Sequence, residues 1–320
     1  MSTVAQIPDP DHKQSVGFKQ VLIATDFSDA SQGAFDYAVA IARRYSSALS
    51  VVHAIPPDPH EPIPIYPAPR ELDRTRLEAE QQMKQLGEDA RIHDLNHHLL
   101  LEQGPVWDVL AAAIQRENVD LLVLGTHGRG GLKKLALGSV AEEVLRLAPC
   151  PVLTIGPNAP LAGSGTTEFK RILFATDFGP ASAKAFPYAL SLAEDYGAKL
   201  VLLHMVPPMP IPELGPAAYA PAFYGADALT KWQETTRDES AKKLREVLPP
   251  NTKLAAEPEY VVVIDYLPEG ILGVAAAHRI ELVVMGANRT SSPRVAAHIP
   301  WALTHEVICH AKCPVLTVSN

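Results

Sequence analysis

Gly125, Gly128 and Gly138, with Ser139 directly after the last, follow the apolar run Leu121-Leu122-Val123-Leu124. The chemistry such a spacing serves is anion binding. Glycines without a Cβ let backbone N–H groups approach an oxyanion, and the helix expected from Ser139 adds partial positive charge at its N-terminus. Arg129, Lys133 and Lys134 lie in the same stretch and would add charge. Ser139 and Glu142 form Ser-x-x-Glu, a capping-box pattern, so the Ser139 hydroxyl is expected either to cap the helix or to reach a phosphate. The plainer alternative is a tight turn with a solvated basic face. There is no Gly-Lys-Ser/Thr of a P-loop and no matching Gly-x-Gly-x-x-Gly unit.

Other candidates have two readings each. Asp26, just past the run Val21-Leu22-Ile23-Ala24-Thr25, either approaches a ligand or caps and turns the chain. His53 is either a ligand contact or a satisfied strand-end histidine, and His127 sits inside the glycine loop without a nucleophile–base–orienter set. His305, Cys309 and Cys313 fall on one helical face and could in principle hold zinc. Cys313-Pro314 repeats Cys150-Pro151, however, which favours buried cysteines over ligands. No catalytic residue and no metal site is assigned.

The elements that must position these residues follow from an internal repeat. Lys19 to Pro57 aligns without gaps on Lys170 to Pro208, matching Thr25/Thr176, Asp26/Asp177, Phe27/Phe178, Ser31/Ser182, Tyr37/Tyr188 and His53/His204. Both copies end in Cys-Pro-Val-Leu-Thr, at Cys150 and at Cys313. The expected organisation is a polar leader, 1–17, read as mobile; a first domain, 18–156; a linker, 157–168; and a second domain, 169–320. Within the first copy, strands at Val21–Thr25, Leu49–Ile55, His98–Leu101, Asp120–Leu124 and Val152–Ile155 alternate with helices. The helices are expected at Ser31–Tyr45, Glu71 to about Arg91, Val106–Arg116 and Ser139–Leu147. Nearly all-apolar strands alternating with helices imply an α/β fold, a doubly wound five-stranded parallel sheet in each copy, order 3-2-1-4-5. Ligands bind such sheets at the strands' carboxyl ends where the order reverses, between the first and fourth strands, so Asp26 and Gly125 should meet.

Leu22-Ile-Ala-Thr-Asp-Phe-Ser28, His53 and Gly125-x2-Gly128-x9-Gly138-Ser139 together resemble the universal stress protein family, here as a tandem of two domains. The resemblance implies an adenine-nucleotide alpha-hydrolase-like fold. It also implies ATP, with or without Mg, bound in the first domain by Ala24, Thr25, Asp26, Ala54, Leu124, Gly125, His127, Gly128, Gly138, Ser139 and Val140. Ala54 departs from the larger apolar residue commoner there. Family members pair through the last strand's edge, which implies pairing of Val152–Ile155 with Val315–Val318 inside one chain and leaves a homodimer open. The second copy keeps Gly286 but carries Arg289 for Gly128 and Trp301-Ala302 for Gly138-Ser139, so it is not expected to bind ATP this way.

Composition narrows the function classes. The chain has 320 residues, 47% hydrophobic and 20% charged, and a formal charge of −8, which opposes a broad electrostatic footprint for nucleic acid or membrane. Three cysteines are too few for a disulfide framework, and no run of about 20 apolar residues is present, so a cytoplasmic protein is expected. The expected function is a nucleotide-responsive stress regulator. The alternatives are a slow ATPase or phosphotransferase, for which no metal-binding carboxylate pair is evident, and a nucleotide-free scaffold. The Pro-rich stretches 56–69 and 207–221 are expected as loops covering the crevices.

Overall fold

A computed structural model describes residues 16–57, 70–126, 137–160, 168–208, 226–287 and 300–319. The first copy runs β1 (Gln20–Ala24), α1 (Asp29–Tyr45), β2 (Ala48–Ile55), α2 (Arg70–Gly87), β3 (His97–Gln103), α3 (Val106–Glu117), β4 (Leu121–Gly125), α4 (Ser139–Leu147) and β5 (Val152–Ile155). The second runs β6 (Arg171–Thr176), α5 (Pro180–Tyr196), β7 (Lys199–Val206), α6 (Ala226–Glu246), β8 (Glu259–Ile264), α7 (Glu269–Ala277), β9 (Leu282–Ala287), α8 (Pro300–His310) and β10 (Val315–Ser319).

The first copy's strands lie in the order β3-β2-β1-β4-β5, all parallel, as the alternation predicts. Burial of both faces explains their composition: Val21, Leu22, Ile23, Leu121, Leu122 and Val123 are wholly buried. The second copy repeats the scheme in β8-β7-β6-β9, again parallel.

The long helix after the first strand of each copy starts and stops with different residues doing the same work. Ser28 caps α1 by accepting from the Ser31 N–H, and Ser46 ends it in the left-handed region at φ 54°. In α5, Gly179 takes the cap position, Pro180 follows at the helix start, and Gly197 ends the helix at φ 61°. Phe35, Ala38, Val39 and Ala42 turn the buried side of α1 toward the sheet.

α2 stops at Gly87, short of Arg91, because the chain then turns around a polar knot. Asp89 accepts from the Arg91 N–H at 2.8 Å, and the Arg91 guanidinium reaches Asp36 and Gln32 on α1 as well as Asp89. Arg91 also lies 4.8 Å over the Phe35 ring.

By contacts the elements form two compact units whose boundary differs from that of the repeat. β1 to β5 and α1 to α4 group with α8 and β10, whereas β6 to β9 and α5 to α7 form the other unit. Within the first unit β10 runs antiparallel to β5, Leu316 opposite Leu153. Thr154 donates its hydroxyl to the Val315 carbonyl at 3.0 Å, and Thr317 donates to the Val152 carbonyl at 3.3 Å, so the edge of β5 is covered.

The leader, expected to be mobile, and the linker each make a hydrogen bond where they are described. The Val16 N–H donates to the Ser191 hydroxyl of α5 at 3.0 Å, so the end of the leader is held. At the start of the linker, Pro160 accepts from the Tyr37 hydroxyl of α1 at 3.0 Å. The rest of the leader and linker, and the Pro-rich loops beyond 57 and 208, lie outside the described residues. Among the described residues no helix is long and apolar enough to cross a membrane.

Candidate functional site

Parallel pairing of β1 with β4, Ala24 opposite Leu124, brings the ends of both strands side by side at the sheet's carboxyl edge. Ala54 lies near the carboxyl end of β2, the strand on the other side of β1. Ala24, Thr25, Asp26, Ala54, Leu124 and Gly125 therefore gather at one edge. Backbone bonds bring the start of α4 there as well: the Gly138 N–H donates to the Thr126 carbonyl at 2.9 Å, and the Thr126 N–H to the Ile155 carbonyl at 3.1 Å. Gly138, Ser139 and Val140 follow from that staple. His127 and Gly128, with Arg129, Lys133 and Lys134, lie outside the described residues.

Gly125 has a packing role that anion binding does not require. A Cβ there would lie 2.7 Å from the Ala30 carbonyl oxygen and 2.9 Å from its carbon, in the first turn of α1. Gly286 meets the same constraint, since its Cβ would lie 2.3 Å from the Ala181 carbonyl carbon and 2.4 Å from the Ser182 nitrogen. Real Cβ atoms do not approach backbone so closely, so both glycines let the helix after the first strand lie against the end of the fourth. Retention of Gly286 in the divergent copy follows from packing alone. Gly138 is less confined: its Cβ would stand 3.3 Å from the Thr126 carbonyl oxygen.

Ser139 does not cap α4, contrary to the capping-box reading. Gly138 occupies the cap position with extended backbone, φ −66° and ψ 148°, and its carbonyl accepts from the Glu142 N–H at 2.9 Å. Gly138 is held there by the staple to Thr126, so Ser139 is already the first helical residue, and the cap residue has no side chain with which to cap this end. Ser139 and Val140 are exposed at the helix start, the end that carries the partial positive charge of the helix.

Asp26 sets the turn into α1. Its carboxylate accepts from the Ser28 N–H at 3.0 Å and the Ser28 hydroxyl at 2.6 Å, placing the residue that caps the helix. Asp177 does the equivalent work, accepting from the Gly179 N–H at 2.8 Å and from the Ser182 hydroxyl. His53 is satisfied by backbone: its Nδ1 lies 2.7 Å from the Thr25 carbonyl, and His204 Nδ1 lies 2.8 Å from that of Thr176. A carbonyl only accepts, so both imidazoles carry the proton on Nδ1. Burial pushes the His204 pKa below its ordinary value, the bond to Thr176 opposing it.

Sequence reasoning missed Phe27. Phe27 and Phe178 both sit in the left-handed region, φ 61° and 60°, and each ring packs at a tilt against a histidine, with centroids 4.4 Å apart for Phe27–His53 and 4.3 Å for Phe178–His204. A bulky residue in that region is strained, and the ring contact together with the Thr25 hydroxyl accepting from the Phe27 N–H at 3.0 Å holds it. Its recurrence in the repeat was the available signal. Thr126, wholly buried and central to the staple, had no such signal, since its counterpart is Ala287.

On the helical face shared by His305, Cys309 and Cys313, His305 Nε2 comes within 3.9 Å of Cys309 Sγ. Among the described residues no group of three such side chains converges as metal ligands.

Parallel sheets whose strand order reverses at β1/β4 and at β6/β9 define the class: an α/β protein with a doubly wound fold present twice in one chain. The family model described as the universal stress protein family matches residues 17–156 and again 168–319. The chain belongs to the universal stress protein family. It is similar to a Thermus aquaticus protein named universal stress protein in QAH/OAS sulfhydrylase 3'region, 37% identical over 141 residues, 43% of this chain and 98% of that one. It is also similar to the universal stress protein A homolog 1 of Coxiella burnetii, 33% identical over 144 residues, 43% of this chain and 96% of that one. Each of these relatives thus matches about one copy's length. Among solved structures, a universal stress protein from Archaeoglobus fulgidus aligns with a TM-score of 0.63 at 19% identity, over 95% of this chain and 98% of that one, a likeness of fold.

Proposed function

We propose that this protein binds ATP in its first copy, at the edge where β1, β4 and the start of α4 meet, and acts as a nucleotide-responsive stress regulator in the cytoplasm. Ala24, Thr25, Asp26, Ala54, Leu124, Gly125, His127, Gly128, Gly138, Ser139 and Val140 form the site, with or without Mg. The observation that carries this reading is the contrast between copies. The glycine that ends the fourth strand is kept in both because packing demands it, as Gly125 and Gly286. What differs is the part that packing does not explain: Gly128 against Arg289, and Gly138-Ser139 against Trp301-Ala302. The first copy keeps glycines at the positions where backbone amides would have to close on phosphate oxygens, and they lead to a helix whose cap position is itself a glycine. Asp26, Phe27 and His53 shape the floor of the site and do no chemistry in this reading, because their polar atoms serve the turn and the strand end.

The test is to purify the full chain, identify any nucleotide carried with it, and follow ADP release after ATP is added. Retained, intact ATP supports the proposal. Sustained turnover replaces it with a slow ATPase or phosphotransferase, and no nucleotide even after ATP titration leaves a scaffold.

A further inference from the structure

The chain passes from one compact unit to the other at Asn288–Arg289, so α8 and β10 lie in the unit built from the first copy. Contacts to first-copy residues seat them there. β10 runs antiparallel on β5 with Val315 opposite Thr154, Leu316 opposite Leu153 and Thr317 opposite Val152. Each threonine hydroxyl donates to the carbonyl of the residue opposite, at 3.0 Å from Thr154 and 3.3 Å from Thr317. A one-residue slip would turn Leu316 to the other face and part both hydroxyls from their acceptors, so the register is fixed. Just past β5 the chain meets α8. A Cβ on Gly156 would lie 2.8 Å from the Ile308 carbonyl oxygen. Asn158 Nδ2 donates to the Cys309 carbonyl at 3.4 Å, one of the last-turn carbonyls that a helix leaves without an internal partner. The receiving stretch is itself anchored, because Pro160 accepts from the Tyr37 hydroxyl on α1.

The receiving groups are the β5 edge, the Gly156 notch and the Asn158 amide, and all of them fall within residues 152–158 of the first copy. Nothing in these contacts depends on which chain supplies α8 and β10. Reciprocal exchange between two chains would therefore leave two complete seams.

We propose that residues 300–319 are an exchangeable element, and that this surface takes the same segment of a second copy of the chain to give a reciprocal dimer. A bare strand edge accepts many partners. Here the paired threonine bonds, the notch against the Ile308 carbonyl and the amide on the Cys309 carbonyl together select a helix followed by a Val-Leu-Thr strand. That requirement makes the occupant a second copy of this chain rather than an unrelated strand. Closed monomer and exchanged dimer hold the same contacts, so the effective concentration of a segment about its own seat sets the balance. That concentration is on the order of 1 mM for short connections, which puts about a tenth of the chains in dimers at about 50 µM and about two-fifths at about 500 µM.

The experiment refolds the unmodified full-length protein from urea at those two concentrations and counts monomer and dimer by native mass spectrometry. The isolated dimer is then compared with the monomer by hydrogen exchange, and its return to monomer is followed after dilution. The dimer fraction should rise with concentration as stated, with β5 and β10 equally protected in both forms and no other segment gaining protection. Gly156→Ala crowds the seat equally in both forms. It should leave the dimer fraction unchanged and speed the return to monomer about tenfold. Monomer alone at about 500 µM, where two-fifths dimer is expected, overturns the proposal. New protection of β3, β8 or α4 in the dimer also overturns it, because another surface then joins the chains. A return rate that Gly156→Ala does not change overturns it as well, since the dimer then comes apart without opening this seam.

Discussion

Substituting Gly286 with alanine should destabilise the second compact unit more than Gly125→Ala destabilises the first. At Gly125 the new methyl would sit 2.7 Å from a backbone oxygen of α1, and at Gly286 it would sit 2.3 Å from a backbone carbon of α5. Ordinary contact begins near 3.5 Å, so α1 must retreat by roughly 0.8 Å and α5 by roughly 1.2 Å. Neither obstacle is the tip of a flexible side chain, so relief requires moving a helix of 17 residues. Overpacking of this kind costs about 1–3 kcal/mol. Neither glycine has positive φ, so alanine also returns about 0.4–1 kcal/mol by restricting the unfolded chain. The net expectation is about 1 kcal/mol for Gly125→Ala and about 2 kcal/mol for Gly286→Ala. Urea unfolding followed by circular dichroism gives the loss, and hydrogen exchange resolved by peptide assigns it to β1 and α1 or to β6 and α5. If Gly286→Ala changes stability by less than about 0.5 kcal/mol, the typical scatter for harmless substitutions, the packing explanation of the shared glycine is wrong. Gly125 and Gly286 would then share no packing role that sets them apart from the nucleotide loop.

Two further outcomes follow from local chemistry. His204 has its pKa depressed by burial, so the unfolded chain binds more protons than the folded one below the ordinary value of 6.5, and stability should fall as pH drops from about 7 toward the folded pKa. His204→Asn, which can still donate to the Thr176 carbonyl, should flatten that part of the urea-midpoint profile; an unchanged slope would remove His204 as its source. Arg91→Ala should lower unfolding free energy by roughly 2 kcal/mol, because it strips charged hydrogen bonds from Asp36 and Asp89 at a partly buried knot. A loss below about 0.5 kcal/mol by urea titration would show that solvent screens the knot and that it contributes little.

The strand order and most element boundaries were legible because each strand is an apolar run between turn residues, and the α4 and β5 limits coincide with the sequence expectation. The end of α2 was misjudged since its charged sequence continues past Gly87, and only the tertiary partners of Arg91 show why the chain turns there. At the site, residue type was ambiguous where one residue can serve two ends. Glycine fits both a close helix approach and a phosphate loop, and the structure assigns the first role at Gly125. Ser-x-x-Glu fits a capping box only when serine precedes the helix, and the Gly138–Thr126 bond shifts the start by one residue. Sequence also gave no indication of which unit α8 joins, because an apolar helix face is complementary to either copy's sheet.

The central claim is that one copy binds nucleotide and the other does not. Calorimetric titration of the full chain with ATP measures this directly. One ATP per chain is expected, with binding lost in Gly128→Arg, the substitution that copies Arg289 into the first copy. Two ATP per chain, or a single site that survives Gly128→Arg with unchanged affinity, would contradict it.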